Sequence, residues 1–188
     1  MFRIGQAKDI HRLENNGRDF ILGGVKIPHS LGPVSHSDGD CLYHAICESL
    51  LGALALGDLG HHFPDDDLKF KDIDSSLLVK KAVELIKERG YRVNNIDTSI
   101  VLETPKLKPY IEKMRRNIAC LLEIDIDKVS VKAGTNEKIG ELGEGKAVEA
   151  TSIVLLMKGE YYGKESKSKI CTITNRFLTY WWSKKRII

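Results

Sequence analysis

Asp9 and His11 stand two residues apart in FRIGQAKDIHR, at 2–12. On a strand, residues at that spacing leave the same face. A carboxylate oxygen and an imidazole nitrogen then emerge side by side, and both are ordinary ligands for zinc or another divalent transition metal. His44 offers a third donor from HSDGDCLYHAI, at 36–46. On a helical wheel it lies about 100° from Ala45 and off the apolar stripe, so its ring faces solvent or a site and not the core. Three protein ligands leave a fourth tetrahedral position for water or substrate, the arrangement of catalytic zinc. Each piece also has a plain structural reading: D-x-H as a surface pair, His44 as a solvated ring. The count of three gives them a common chemistry.

The elements that must position these groups follow from periodicity. Residues 2–12 read as a first strand. FILGGVKI, at 20–27, reads as a second, its glycine pair marking a bulge or a close backbone approach. Pro28 and Pro33 mark the loop after it. From Asp40, a natural N-cap, Leu42, Ala45, Ile46, Leu50, Ala53 and Leu54 form one apolar stripe, and Gly57 ends the helix. DLGHHFPDDDLKFKD, at 58–72, is acidic and without period, and its length favours a functional loop over a simple linker. Asp74 caps a helix striped by Leu78, Ala82, Leu85 and Ile86 and stopped by Gly90. NIDTSIVLE, at 95–103, reads as a strand. Pro105 and Pro109 frame a turn into a helix over 110–122, and KVSVKAG (128–134) and VEATSIVLLMK (148–158) are further strands. The fold class is α+β, a sheet with helices packed on one face.

Composition bounds the possibilities. A chain of 188 residues suggests one domain with room for a sizeable core, and 29% charged with 42% hydrophobic residues is a globular composition. No run approaches the roughly 20 apolar residues of a membrane span. The N-terminus lacks a signal-peptide pattern, so a cytoplasmic location is expected. The four cysteines form no CxxC pair and read as structural. The net charge of +3 is unevenly spread: residues 159–188 carry seven Lys and Arg against two Glu, so the body is mildly acidic. That weakens a nucleic-acid-binding reading, and neither a nucleic-acid nor a membrane partner is expected for the body.

The ordered set DIH (9–11), HSDGD (36–40) with the histidine of YHAI at 44, GDLG (57–60), FPDDD (63–67), TPK (104–106) and TNEK (135–138) resembles the 2-C-methyl-D-erythritol 2,4-cyclodiphosphate synthase family over about residues 2–158. The resemblance implies an enzyme of the non-mevalonate isoprenoid pathway. Its substrate, 4-diphosphocytidyl-2-C-methyl-D-erythritol 2-phosphate, cyclises when the 2-phosphate attacks the β-phosphate and CMP leaves. Bringing anionic phosphates together is the obstacle, so positioning and electrostatic stabilisation are the catalysis.

Residue by residue, the resemblance implies Asp9, His11 and His44 as ligands of zinc or a similar ion, with Asp9 and His11 also at the substrate. His36 and Ser37 would touch the phosphates, His36 stabilising charge in the transition state. Gly134, Thr135, Asn136 and Glu137 would line the diphosphate, with Thr135 donating to the phosphate under attack. Glu137 would hold a magnesium or manganese ion there. Asp58, Leu59 and Gly60 would bind methylerythritol, under a loop of Phe63, Pro64, Asp65, Asp66 and Asp67. The segment Leu102, Glu103, Thr104, Pro105, Lys106, Leu107 and Lys108 would receive cytosine and ribose. Asp38 and Asp40 would cap or support and not ligate. The resemblance also implies a homotrimer with each active site between neighbouring subunits.

The match has limits. After TNEK the segment IGELGEGKAVEA is short and lacks the family's aromatic and arginine, which removes the basis for an isoprenoid-diphosphate site on the trimer axis. Residues 159–188 lie outside the match, so the chain divides into a synthase domain, 1–158, and a basic-aromatic extension, 159–188. The extension reads as dispensable, against a membrane- or nucleic-acid-binding alternative. Two rivals to cyclisation share the same residues. A metal-dependent phosphoesterase would release inorganic phosphate, and a cytidine-nucleotide or isoprenoid-diphosphate binding module would turn nothing over.

Overall fold

The computed structural model describes residues 1–64 and 71–159. Asp65, Asp66 and Asp67 of the expected loop, and the extension from residue 160, lie outside the described residues. The elements in order are β1 (Phe2–Glu14), β2 (Phe20–Leu22), β3 (Val25–Ile27), β4 (Gly32–Pro33), α1 (Cys41–Ala53), α2 (Leu59–His62), α3 (Ser75–Glu88), β5 (Tyr91–Val101), α4 (Ile111–Leu122), β6 (Val129–Gly134), α5 (Gly140–Gly143) and β7 (Ala147–Lys158).

A five-stranded mixed sheet, ordered β4-β1-β7-β5-β6, forms the frame. β1 runs antiparallel to β7 from Phe2↔Met157 to Arg12↔Ala147, and β5 pairs antiparallel with the other edge of β7. β6 is parallel to β5, and α4 makes the crossover that a parallel pair requires. Alternation along β1 sends Gly5, Ala7, Asp9 and His11 toward the helices and Phe2, Ile4 and Ile10 to the opposite face.

α1 is the centre of the core. Leu42, Ala45, Ile46, Cys47, Leu50 and Leu51 are all fully buried against the sheet and α3. Gly5 sets how closely the helix lies on β1, because a Cβ there would fall 1.9 Å from the carbonyl oxygen of Ser49. At the helix's other end the Cys41 thiol donates to the Asp9 carbonyl at 3.2 Å. The helix therefore descends β1 in the opposite sense and brings His44 over Asp9 and His11.

Four local expectations change. The glycine pair is neither bulge nor strand interior but the two-residue turn of the β2–β3 hairpin. Gly23 and Gly24 both have positive φ, 56° and 67°, which a hairpin of this length demands. Side-chain room is also absent, since a Cβ at Gly24 would meet the Tyr43 hydroxyl at 2.6 Å. α1 stops at Ala53, before Gly57, and is buried on nearly every side, so one stripe understates its environment. β5 begins at Tyr91, earlier than expected, because a register break between Val93 and Asn95 interrupts the alternation that would have revealed it. The 58–72 segment opens with α2, whose four residues are too few to show a period.

Candidate functional site

Asp40 fixes where α1 begins. Its Oδ1 accepts from the Tyr43 and Gly23 amides at 3.0 and 2.9 Å, and its Oδ2 from Gly24 at 2.7 Å. One carboxylate thus caps α1 and holds the hairpin turn against it. Burial pushes its pKa up to about 7, although the Gly24, Tyr43 and Gly23 amides work the other way. One turn on, the His44 amide donates to the Asp40 carbonyl at 3.0 Å.

His44 is 8% exposed, so its ring faces a site and not solvent. The site is made with β1. His11 Nε2 lies 3.1 Å from His44 Nδ1 and 3.2 Å from Asp9 Oδ2, and His44 Nδ1 lies 3.3 Å from Asp9 Oδ2. Three donor atoms on different side chains therefore form a nearly equilateral triangle. A tetrahedral ion with bonds of about 2.0–2.1 Å requires ligand separations of about 3.3–3.4 Å. Asp9 Oδ2 is buried and makes no satisfying hydrogen bond despite its proximity to both rings. An orphaned carboxylate oxygen is costly unless something charged completes it. The O, N, N donor set suits zinc and its neighbours, so the residues fit the metal that the spacing suggests.

The charges agree. Burial alone would raise the Asp9 pKa, but the two imidazoles outweigh it and hold the carboxyl below its ordinary range. Burial lowers the pKa of His11 beyond what Asp9 restores, whereas for His44 the Asp9 carboxylate overcomes burial and raises it. Cys41, beside them, is kept a thiol: burial and the Asp9 and Asp40 charges push its pKa well up.

The 35–38 loop rims this triangle. Ser37 is buried, and its hydroxyl lies 2.9 Å from His44 Nε2. His36 Nε2 is buried without a partner, a donor or acceptor free for something else. Sequence reasoning missed Arg18, whose guanidinium binds the carbonyls of Ser35, at 2.5 Å, and Ser37, and reaches Asp72 at 3.2 Å. It also missed Ser75, fully buried and 3.0 Å from His44 Nε2. Both act across long sequence separations, and neither belongs to a local pattern.

A second group forms elsewhere. Leu102, Glu103, Pro105, Lys106, Leu107, Lys108, Gly134 and Thr135 line one cavity of about 370 Å³. Glu103 accepts from the Asn136 amide at 3.2 Å, which ties the two segments together. Thr135 donates to Glu137 at 2.6 Å, and Glu137 and Lys138 both have positive φ, 51° and 62°, so the TNEK turn is tightly wound. His29, also missed, receives the Leu31 amide on Nδ1 at 2.8 Å and therefore donates from Nε2 to the Thr104 carbonyl at 3.1 Å. The cavity and the Asp9–His11–His44 triangle have no residue in common.

Asp58, Leu59 and Gly60 open α2. Asp58 caps it through the His61 amide at 2.8 Å and lines an open cleft of about 690 Å³ with His61, His62 and Arg89. Leu59 is anchored by its amide to Glu48 at 3.0 Å, and Phe63 packs at the edge of the core, with exposed Pro64 after it.

A sequence profile of the YgbB family matches residues 2–157. The 2-C-methyl-D-erythritol 2,4-cyclodiphosphate synthase of Chloroherpeton thalassium is 51% identical over 156 residues, spanning 83% of this chain and 99% of its own. That of Fusobacterium nucleatum is 49% identical over 158 residues, 84% of this chain and 98% of its own. Among solved structures, the CDP complex of IspF from Plasmodium falciparum superposes with a TM-score of 0.74 at 37% identity, over 85% of this chain and 97% of that one.

Proposed function

We propose a mechanism from the premise that this chain belongs to the YgbB family, alongside the 2-C-methyl-D-erythritol 2,4-cyclodiphosphate synthases. The chain is an enzyme of non-mevalonate isoprenoid biosynthesis. It converts 4-diphosphocytidyl-2-C-methyl-D-erythritol 2-phosphate to the 2,4-cyclodiphosphate and CMP. A 2-phosphate oxygen bonds to the β-phosphorus, the bond from that phosphorus to the bridging oxygen breaks, and CMP leaves with that oxygen. The relatives do not favour a phosphoesterase or a binding module without turnover.

The roles of individual residues are our reading. Asp9, His11 and His44 would hold a divalent ion, zinc by its donor set, which supplies Lewis-acid polarisation of a phosphate oxygen. The observation that carries this is the triangle of donor atoms around an orphaned carboxylate oxygen. His36 and Ser37 hold phosphate oxygens, Ser37 by its hydroxyl and His36 by the unpartnered Nε2. Thr135 turns its hydroxyl from Glu137 to the phosphate under attack, and Glu137 would then hold magnesium or manganese, which neutralises diphosphate charge. Asp58, Leu59, Gly60, Phe63 and Pro64 receive the methylerythritol. The cavity of 102–108 with 134–135 receives cytidine. The CDP complex of the Plasmodium relative supports a cytidine-nucleotide substrate.

The homotrimer with shared sites belongs to the same reading. The sheet face away from the helices carries Phe2, Ile4, Ile10 and Ile153, between 43% and 69% exposed, an apolar patch that calls for a cover. Separate cavity and triangle suit a site completed by a second copy. The division into 1–158 and 159–188 is likewise proposed. No helix among the described residues is long and apolar enough to cross a membrane.

Phosphorus NMR of the reaction with zinc and magnesium tests the chemistry. A cyclic diphosphate plus CMP is expected; inorganic phosphate, or no turnover with tight CDP binding, would overturn it. Sedimentation of the same protein tests the trimer.

A further inference from the structure

We propose that Ser75 and Asp38 are positioning residues for His44, forming a buried relay from His44 Nε2–H to Ser75 Oγ and from Ser75 Oγ–H to Asp38 Oδ1. The relay fixes which ring nitrogen faces Asp9 and His11. This inference rests on the reading of the triangle as a metal site.

His44 Nδ1 is the nitrogen in the triangle, so as a ligand it carries no proton and the ring proton sits on Nε2. Two hydroxyls compete for that proton, Ser37 Oγ at 2.9 Å and Ser75 Oγ at 3.0 Å. Their surroundings decide between them. Ser75 Oγ lies 2.5 Å from Asp38 Oδ1, and the Ser75 amide donates to Asp38 Oδ2 at 3.1 Å. Asp38 Oδ1 accepts the Ser75 O–H, which leaves the Ser75 oxygen lone pairs toward Nε2. Asp38 is itself held: Oδ1 also accepts from the Asp40 amide at 3.1 Å, and its own amide donates to the Ile73 carbonyl at 3.0 Å. Every donor in this chain has an acceptor, and it ends on a carboxylate. That is the histidine–carboxylate support common behind metal sites, lengthened by one hydroxyl.

Ser37 stands differently. Its oxygen accepts from the Gly39 amide at 3.1 Å, and its hydroxyl neighbours are Ser35 Oγ at 3.2 Å and, at the limit of bonding distance, Ser75 Oγ at 3.5 Å. No carboxylate claims its proton, which stays available to an anionic substrate. The two serines at His44 thus divide the work: Ser75 orients the ring, and Ser37 serves the phosphate.

The experiment uses the full chain with Ser75→Ala, Asp38→Asn and Ser37→Ala. Zinc affinity is read by competition with a chromophoric chelator, urea unfolding is read without metal, and kcat and KM are read separately. Loss of an outer partner typically weakens metal binding by about 10–100-fold. Ser75→Ala and Asp38→Asn are expected to fall in that range, beyond any change in metal-free stability. Ser37→Ala is expected to stay within about threefold for zinc and to raise KM. If Ser75→Ala fails to fold, Asp38→Asn carries the same readout. Wild-type zinc affinity in Ser75→Ala or Asp38→Asn overturns the relay while leaving the triangle standing. Ser37→Ala weakening zinc as much as Ser75→Ala overturns the division of work. A wild-type chain that binds no zinc removes the metal reading and the relay with it.

Discussion

Removing the Asp40 carboxylate should cost far more than an ordinary helix cap. Asp40 is fully buried and serves three amides, those of Tyr43, Gly23 and Gly24. In Asp40→Ala the Tyr43 and Gly23 amides remain in buried residues, at about 1–3 kcal/mol each, whereas Gly24 is exposed and water replaces its bond. Relief of a buried carboxylate offsets part of this, so about 2–4 kcal/mol is expected. Asp40→Asn keeps Oδ1 and its two bonds and sets an amide against Gly24, for about 1 kcal/mol. The pH dependence has a definite sign. With a folded-state pKa pushed up to about 7 from 3.8, the native state holds the proton more tightly than the unfolded chain. This group's contribution is therefore greatest at low pH and declines as pH rises through that interval. Urea unfolding at fixed protein concentration, at pH 5 and pH 8, reads both effects, with the wild-type-minus-Asn difference isolating Asp40. An Ala variant losing under about 1 kcal/mol, or Ala and Asn losing equally, would refute the three-amide clamp.

Other outcomes follow from the same geometry. His44→Ala should abolish turnover and bring bound zinc below one per subunit, read by elemental analysis. A fully metallated, active variant would reject the triangle. His29→Ala frees the Thr104 carbonyl and loosens the 102–108 turn, so KM should rise several-fold with kcat nearly unchanged in steady-state kinetics; an unchanged KM would separate that turn from nucleotide binding. Deleting residues 160–188 should leave turnover and assembly unchanged, and a collapse of either would give the extension a role.

The legible parts were those with local rules. Period two along β1 put Asp9 and His11 on one face, and an off-stripe position put His44 toward a site. Asp40 and Asp74 announced their caps. What escaped was tertiary. Ser75 sits 31 residues from His44 and Arg18 54 residues from Asp72, and nothing in either neighbourhood signals the partner. His29 gave no local signal, because its acceptor is a backbone carbonyl 75 residues on. Gly23 and Gly24 were ambiguous because a two-residue hairpin turn and a strand bulge ask for the same residue type.

Gly5 carries no functional group, yet it gauges how closely α1 lies on the strand that carries Asp9 and His11. Any side chain there would be a wedge between β1 and the Ser49 end of α1, the helix that carries His44. Searches for crippling variants confined to polar side chains would pass over this residue, although the spacing of the proposed metal ligands depends on it.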